Sequence, residues 1–256
     1  MGPFEQVTSR FLAALHHDGN EIEGLCNAAT EVLSVPRAAI SVDADEAGLQ
    51  TWCASDEIAA AVEELQATLG EGPGVSAIRH SAPVLVPDLS LKSQRWPGFL
   101  SAVADKGITG GMYALPLHLG SVRLGVLDVY GSEPGDLDRS TLAAGLHVAD
   151  LITTLLLSGG PQYDARRADS PRPLDGTLRL KDLETTDSVE EWWWEASTTA
   201  GRDIHQAAGM VIAQAGTSAR DAYALLRAYA YAEGLSLTEV AERVVRRQLR
   251  FGPEND

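Results

Sequence analysis

The segment DIHQAAGMVIAQAGTSARDAYALLRAYAYAEGLSLTEVAERVVRRQLRF (203–251) carries three amphipathic helical patterns in succession. Ile204, Ala207, Ala208, Val211, Ile212 and Ala215 recur at the three-and-four spacing of one apolar helical face. Gly216 follows where a left-handed C-terminal cap, free of a Cβ, ends a helix. Ser218 and Asp221 then form a capping-box-like pair, with Asp in place of the usual Glu. Ala222, Leu225, Leu226 and Tyr229 give the second helix its buried side, and Gly234 closes it. Ser236 and Glu239 make a full capping box ahead of Leu237, Val240, Ala241, Val244 and Val245. Connections this short pack neighbouring helices on each other, so a three-helix unit is expected from these residues alone.

Outward from this unit, the rest of the chain is different in charge. The 256 residues carry a net charge of −16. Residues 203–256 hold six basic and seven acidic residues, or −1, leaving 14 basic and 29 acidic, or −15, for the first 202. A body this acidic is not a general nucleic-acid surface, whereas a near-neutral end fits binding confined to that end or a plain dimerisation bundle. With 45% apolar residues, two ordinary domains are expected. No run of about 18 apolar residues predicts a membrane span. MGPFEQVTSRF lacks the basic start and apolar stretch of a secretory signal, so a cytoplasmic protein is expected. Cys26 and Cys53 are therefore read as buried thiols, with a disulfide or thiol sensor as the lesser alternative.

Residues 4–16 and 21–33 read as helices, the second with Asn20 as N-cap. RAAISV (37–42) and LQTWCA (49–54) read as a hairpin across DADEAG. A helix capped by Ser55 or Asp56 runs to Leu69. GEGPG (70–74) lacks the Lys-Ser/Thr of a phosphate-binding loop and reads as a turn before the short helix VSAIRH. A strand within PVLVPDL (83–89), a helix in 95–107, a second hairpin (113–120 and 122–131) and a long helix over 136–157 complete an α+β order with a mostly antiparallel sheet. Asp128, polar in an apolar strand, is expected to face outward, with no acid or base partner assignable. Residues 158–201 read as linker, with Trp192–Trp194 in a lead-in helix that packs on one of the domains. The acidic Glu190, Glu191 and Glu195 around them disfavour a base-stacking platform.

The order LGEGPG, PVLVPDL, RWPGF, GI (107–108), LPLHLG and LGVLDVYG resembles a GAF domain over residues 1–157, of the kind fused to ANTAR units in actinobacteria. HQAAGMVIAQAGTS followed by DAYALLRAYAYAEGLSLTEVA resembles an ANTAR domain over 202–251. The resemblance implies a sensory or dimerising N-terminal domain, a small-molecule ligand there in some relatives, and a homodimer that binds paired hairpin motifs in nascent RNA. It implies regulation by transcription antitermination. In the family position 208 is commonly basic; here it is Ala208, which removes one phosphate contact. The alternative is an interaction and dimerisation module without RNA binding.

Gly209 and Arg227 fall on family positions of the bundle. Gly209 suits close backbone approach, to the second helix or to RNA. Arg220 is a further candidate for RNA contact; Arg247 and Arg250 lack an acidic residue four positions before them, unlike Arg243 and Arg246, which follow Glu239 and Glu242 at helical pairing distance. Tyr223 and Tyr231 suit stacking on unpaired bases, or a core or dimer contact. For a GAF ligand, a pocket between the sheet and residues 70–105 would draw on Trp52, Arg95, Trp96, Tyr113 and Leu115, each of which also suits plain core. Histidines are scattered without metal spacing, so no metal is expected. No nucleophile, base and orienting group come together in sequence, so no enzyme is expected.

Overall fold

The computed structural model describes residues 2–17, 22–91, 93–157 and 199–252. Along the chain run α1 (Pro3–His17), α2 (Ile22–Leu33), β1 (Arg37–Asp43), β2 (Leu49–Ala54), α3 (Glu57–Leu69), α4 (Pro73–His80), β3 (Val84–Val86), α5 (Pro97–Asp105), β4 (Met112–Leu119), β5 (Val122–Tyr130) and α6 (Arg139–Leu157). The bundle follows as α7 (Thr199–Ala215), α8 (Ala219–Glu233) and α9 (Leu237–Val245). Asn20, residues 158–198 of the linker and with them Trp192–Trp194 lie outside the described residues, while 199–201 open α7.

The strands pair antiparallel in the order β2-β1-β5-β4-β3, and strand alternation sends their side chains to two cores. Ala38, Ile40 and Val42 of β1 join Leu127, Val129, Leu115 and Leu117 under α1, α2 and α6. Ala39, Val126, Met112 and Ala114 face the other way, under α3, α4 and α5. Trp52 is the extra residue of a bulge: Ile40 pairs with Cys53 and Ser41 with Thr51. The bulge puts both Trp52 and Cys53 on the α2 side. There Cys53 meets Cys26 in a disulfide, with Cα atoms 6.1 Å apart. The buried-thiol reading is thus corrected: sequence placed each cysteine in a core, and only the bulge makes them face each other.

Asp128 also departs from expectation. It is fully buried, because position 128 shares the inner face of β5 with Val126 and Tyr130. Burial is made tolerable by a polar network. Gln66 donates from Nε2 to Asp128 Oδ2 at 2.9 Å and accepts from the Gly74 amide at 2.7 Å. Ser41 and Tyr130 both donate to the Glu63 carboxylate. Desolvation first, then the neighbouring Glu63 charge, push the Asp128 carboxyl well above its ordinary range. This explains GEGPG: a Cβ at Gly74 would lie 2.7 Å from Asp128 Oδ2, and one at Gly72 2.5 Å from Gln66 Oε1. The turn is glycine-rich to admit this network.

The bundle forms as its caps dictate. Gly216 and Gly234 take left-handed φ of 63° and 64°. Ser236 and Glu239 make both halves of a capping box, whereas Asp221 bonds the Ser218 hydroxyl and leaves only the Ser218 half. Among the described residues one helix, α6, is long and apolar enough to cross a membrane; its Val148, Ile152 and Leu156 are buried in the sheet core.

Candidate nucleic-acid interface and the domain junction

The bundle packs against α3 and the β1–β2 turn through α8 and α9. Ala47 of that turn is only 1% exposed and belongs to the bundle's core, beside Leu226 and Val240. Among the described residues, three side-chain hydrogen bonds cross the junction. Arg227 Nη2 donates to the Ala47 carbonyl. The Leu237 amide, one of the orphan donors at the start of α9, donates to Thr68 Oγ1 at 3.1 Å. Gln50 and His205 pair through their Nε2 atoms at 3.1 Å, and His205 Nδ1 meets the Tyr223 hydroxyl at 2.7 Å. Burial depresses the His205 pKa, which fits a neutral ring that accepts from Gln50 and donates to Tyr223. Sequence periodicity gave no sign of this junction, since Thr68, Gln50 and His205 look like ordinary surface polar residues on their own elements.

The seven bundle candidates are divided by this docking. Arg220, Ala224, Arg227 and Tyr231 recur at four, three and four along α8, which places them on one stripe. Tyr231, at 69% exposure, is bare. Arg220 is exposed at the other end. Between them Arg227 turns into the junction, where its Nε is buried without a partner among the described groups. Desolvation lowers its pKa. Gly48 makes room for it: at φ 75°, a Cβ there would meet Arg227 Nη2 at 2.5 Å. Tyr223 is 8% exposed and stacks edge-on against His205, so it is not presented to a base in this arrangement.

At the C-terminal end Arg246 pairs with Glu242 at 3.1 Å, as helical spacing predicts. The matching Glu239–Arg243 pair does not form, because the Glu239 carboxylate accepts from the Ser236 amide and hydroxyl to cap α9. Arg247 takes a left-handed φ of 61° just past α9, and it and Arg250 are exposed. Gly209 is exposed, and a Cβ there would meet nothing within 4 Å, so helix packing does not demand glycine. Ala208 is 2% exposed within the bundle core.

The five pocket candidates of the N-terminal domain do not converge. Trp52 and Leu115 lie in the core under α1, α2 and α6, while Trp96 lies on the opposite side of the sheet. The bulge at Trp52 and strand alternation at Leu115 send them there. Trp96 donates to Ser76 Oγ at 2.8 Å, and exposed Arg95 sits 4.3 Å over its ring. Tyr113 donates to the Gly135 carbonyl. Between the sheet and residues 70–105 stand Phe99, Val103, Met112 and the Asp128 network.

A cleft of about 640 Å³ opens instead at the junction. The β1–β2 turn, the end of α3, α4, the start of β5 and α8 all contribute to its walls. Its arginines are Arg79, Arg123, Arg220 and Arg227; its carboxylates are Asp43, Asp45 and Glu46. No group of three or more His, Cys, Asp or Glu residues suited to a metal occurs among the described residues.

The family model described as the GAF domain matches residues 22–156, and the one described as the ANTAR domain matches residues 196–245. Among solved structures, the chain resembles the GAF domain of a phosphoenolpyruvate-protein phosphotransferase from Coxiella burnetii (15% identity, 65% of this chain and 94% of that one, TM-score 0.43). It also resembles the second GAF domain of DevS from Mycobacterium smegmatis (17% identity, 58% and 96%, TM-score 0.39). No curated protein matches the sequence.

Proposed function

From the premise that this chain belongs to the GAF family and carries a C-terminal ANTAR domain, we propose that it is an RNA-binding regulator of transcription antitermination whose GAF domain gates the RNA-binding bundle. The observation that carries the reading is the α8 stripe, with Tyr231 bare at one end and Arg227 held by the GAF domain in the middle. Tyr231 supplies a face on which an unpaired loop base stacks, and Arg220, Arg247 and Arg250 supply cations for phosphates. Docked as described, the bundle offers only part of this surface. Release of the GAF domain frees Arg227 to complete it.

The RNA target is paired hairpin motifs, bound by a cytoplasmic homodimer. The dimer surface is the outer side of α1 and α6, where Phe4 is 51% and Leu146 37% exposed and Phe4 packs on His147. A dimer makes engagement of the second hairpin intramolecular and so raises avidity. The second reading, an interaction module without RNA binding, draws on the same junction, since Arg227 already has a partner in the GAF domain. Crosslinking and sequencing of bound RNA in the native cells, beside a Tyr231→Ala, Arg250→Ala variant, tests the first reading. Hairpin pairs ahead of terminators, enriched with the native protein and lost with the variant, are the expected result. No hairpin enrichment with either protein sinks it in favour of the second; equal enrichment with both refutes the assignment to Tyr231 and Arg250.

A further inference from the structure

Arg79 lies in the last turn of α4, Arg123 is the second residue of β5, and Arg220 and Arg227 stand on α8, so each of the two domains lines the junction cleft with two arginines. Among the described residues no carboxylate lies within 4.0 Å of any of the four, although Asp43, Asp45 and Glu46 share the walls. The Arg123 charge acts on Asp43 across the cleft, but arginines without a close carboxylate partner keep donors for an anion, with up to five each. Arg227 donates to the Ala47 carbonyl through Nη2 and also lines the cleft. Between the charges the cleft has an apolar floor of Leu49, Val75, Ile78 and Ala224. At about 640 Å³ it lies within the range of small-molecule sites, and it sits at a domain boundary, where such sites concentrate.

We propose that this cleft binds a small organic anion, with phosphate or carboxylate groups on an apolar body, that bridges the arginines of the GAF domain to those of α8. The acidic residues on the same walls select for a ligand that also donates hydrogen bonds, and they disfavour a bare polyanion. The site differs from the pocket expected between the sheet and residues 70–105, where Phe99, Val103 and Met112 are packed. Its regulatory consequence rests on the function proposed above: a ligand that ties Arg123 and Arg79 to Arg220 and Arg227 holds the bundle docked and keeps Arg227 from RNA.

Calorimetric titration of the full chain with ATP, GTP, pyrophosphate and citrate, in the absence of RNA, tests the site. At least one probe binds the native protein, and binding weakens at least tenfold in an Arg79→Ala, Arg123→Ala variant. Both side chains are exposed, so the variant folds, which circular dichroism checks. Tighter binding of the nucleotides than of pyrophosphate assigns the apolar floor a role; tighter binding of citrate assigns the site to carboxylates. Absence of binding by all four probes, or equal affinity in the variant, overturns the proposal. Binding that leaves RNA affinity unchanged upholds the site and removes only its regulatory consequence.

Discussion

Replacing Thr68 by valine perturbs the junction while nearly preserving volume. In the native chain the Thr68 hydroxyl accepts from the Leu237 amide at 3.1 Å. That amide is at the first position of α9, where no intrahelical acceptor exists. In the undocked state water satisfies it, but in the docked state of Thr68→Val nothing does. A buried unsatisfied donor costs about 1–3 kcal/mol, which weakens docking roughly 5- to 150-fold. If RNA binds only undocked chains, apparent affinity scales with the undocked fraction. RNA affinity should therefore rise at least about fivefold, up to the limit where the chain is fully undocked. Fluorescence anisotropy with a two-hairpin RNA reads the affinity, and small-angle scattering reads the separation of the domains. Thr68→Ser keeps the hydroxyl and should behave as native. Domains that separate in Thr68→Val with no change in RNA affinity would refute gating by docking.

Tyr231→Ala should weaken RNA binding by about 1–3 kcal/mol without lowering thermal stability, because the ring is bare; anisotropy and a thermal melt check the two halves. Removing Arg247 and Arg250 should weaken binding across RNA sequences and lower the salt slope by about one unit for each arginine that contacts a phosphate, as a salt titration measures. Reduction of Cys26–Cys53, or a double change to alanine, opens a loop of 27 residues' separation and should cost about 3.5 kcal/mol, or about 10 °C in the melting temperature. For Asp128 the direction of pH dependence is fixed by its raised pKa. The folded state binds the proton more tightly than the unfolded chain, whose carboxyl titrates near 3.8, so this group's contribution declines as pH rises above that value toward the folded pKa. Asp128→Asn does not titrate, so urea midpoints measured from pH 4 to 8 should fall less steeply than in the native protein; an unchanged slope would locate the dependence elsewhere.

Elements whose signal is local were legible from sequence. Ser236 and Glu239 cap α9 because a helix start needs acceptors for its free amides, and that need is written within four residues. The two hairpins, the helix over 57–69 and the glycine caps at 216 and 234 follow from the same kind of local demand. Contacts made between distant elements were not. One extra residue at Trp52 turns Cys53 toward Cys26, and alternation alone cannot foresee a bulge. Asp128 reads as outward-facing because its partners Gln66 and Glu63 stand on a helix, α3, more than sixty positions away. Arg227 was singled out as an RNA contact on a surface whose cover, the turn at Ala47–Gly48, is 180 positions distant.

The α8 stripe also constrains how the proposed signals combine. From Arg220 to Tyr231 the helix rises by roughly 16 Å, at 1.5 Å per residue. An RNA loop stacked on Tyr231 and following the stripe arrives at Arg227 before Arg220 and meets the β1–β2 turn there. On the proposed function, RNA and the GAF domain then compete for one guanidinium instead of acting at independent places. Competition for a shared group is reciprocal: if a cleft ligand lowers RNA affinity by some factor, RNA must lower ligand affinity by the same factor. Titrating a bound anion against the two-hairpin RNA, and the RNA against the anion, must return one coupling constant. A coupling factor of one in both titrations would mean that the ligand and the RNA bind independently and that Arg227 is not the group they share.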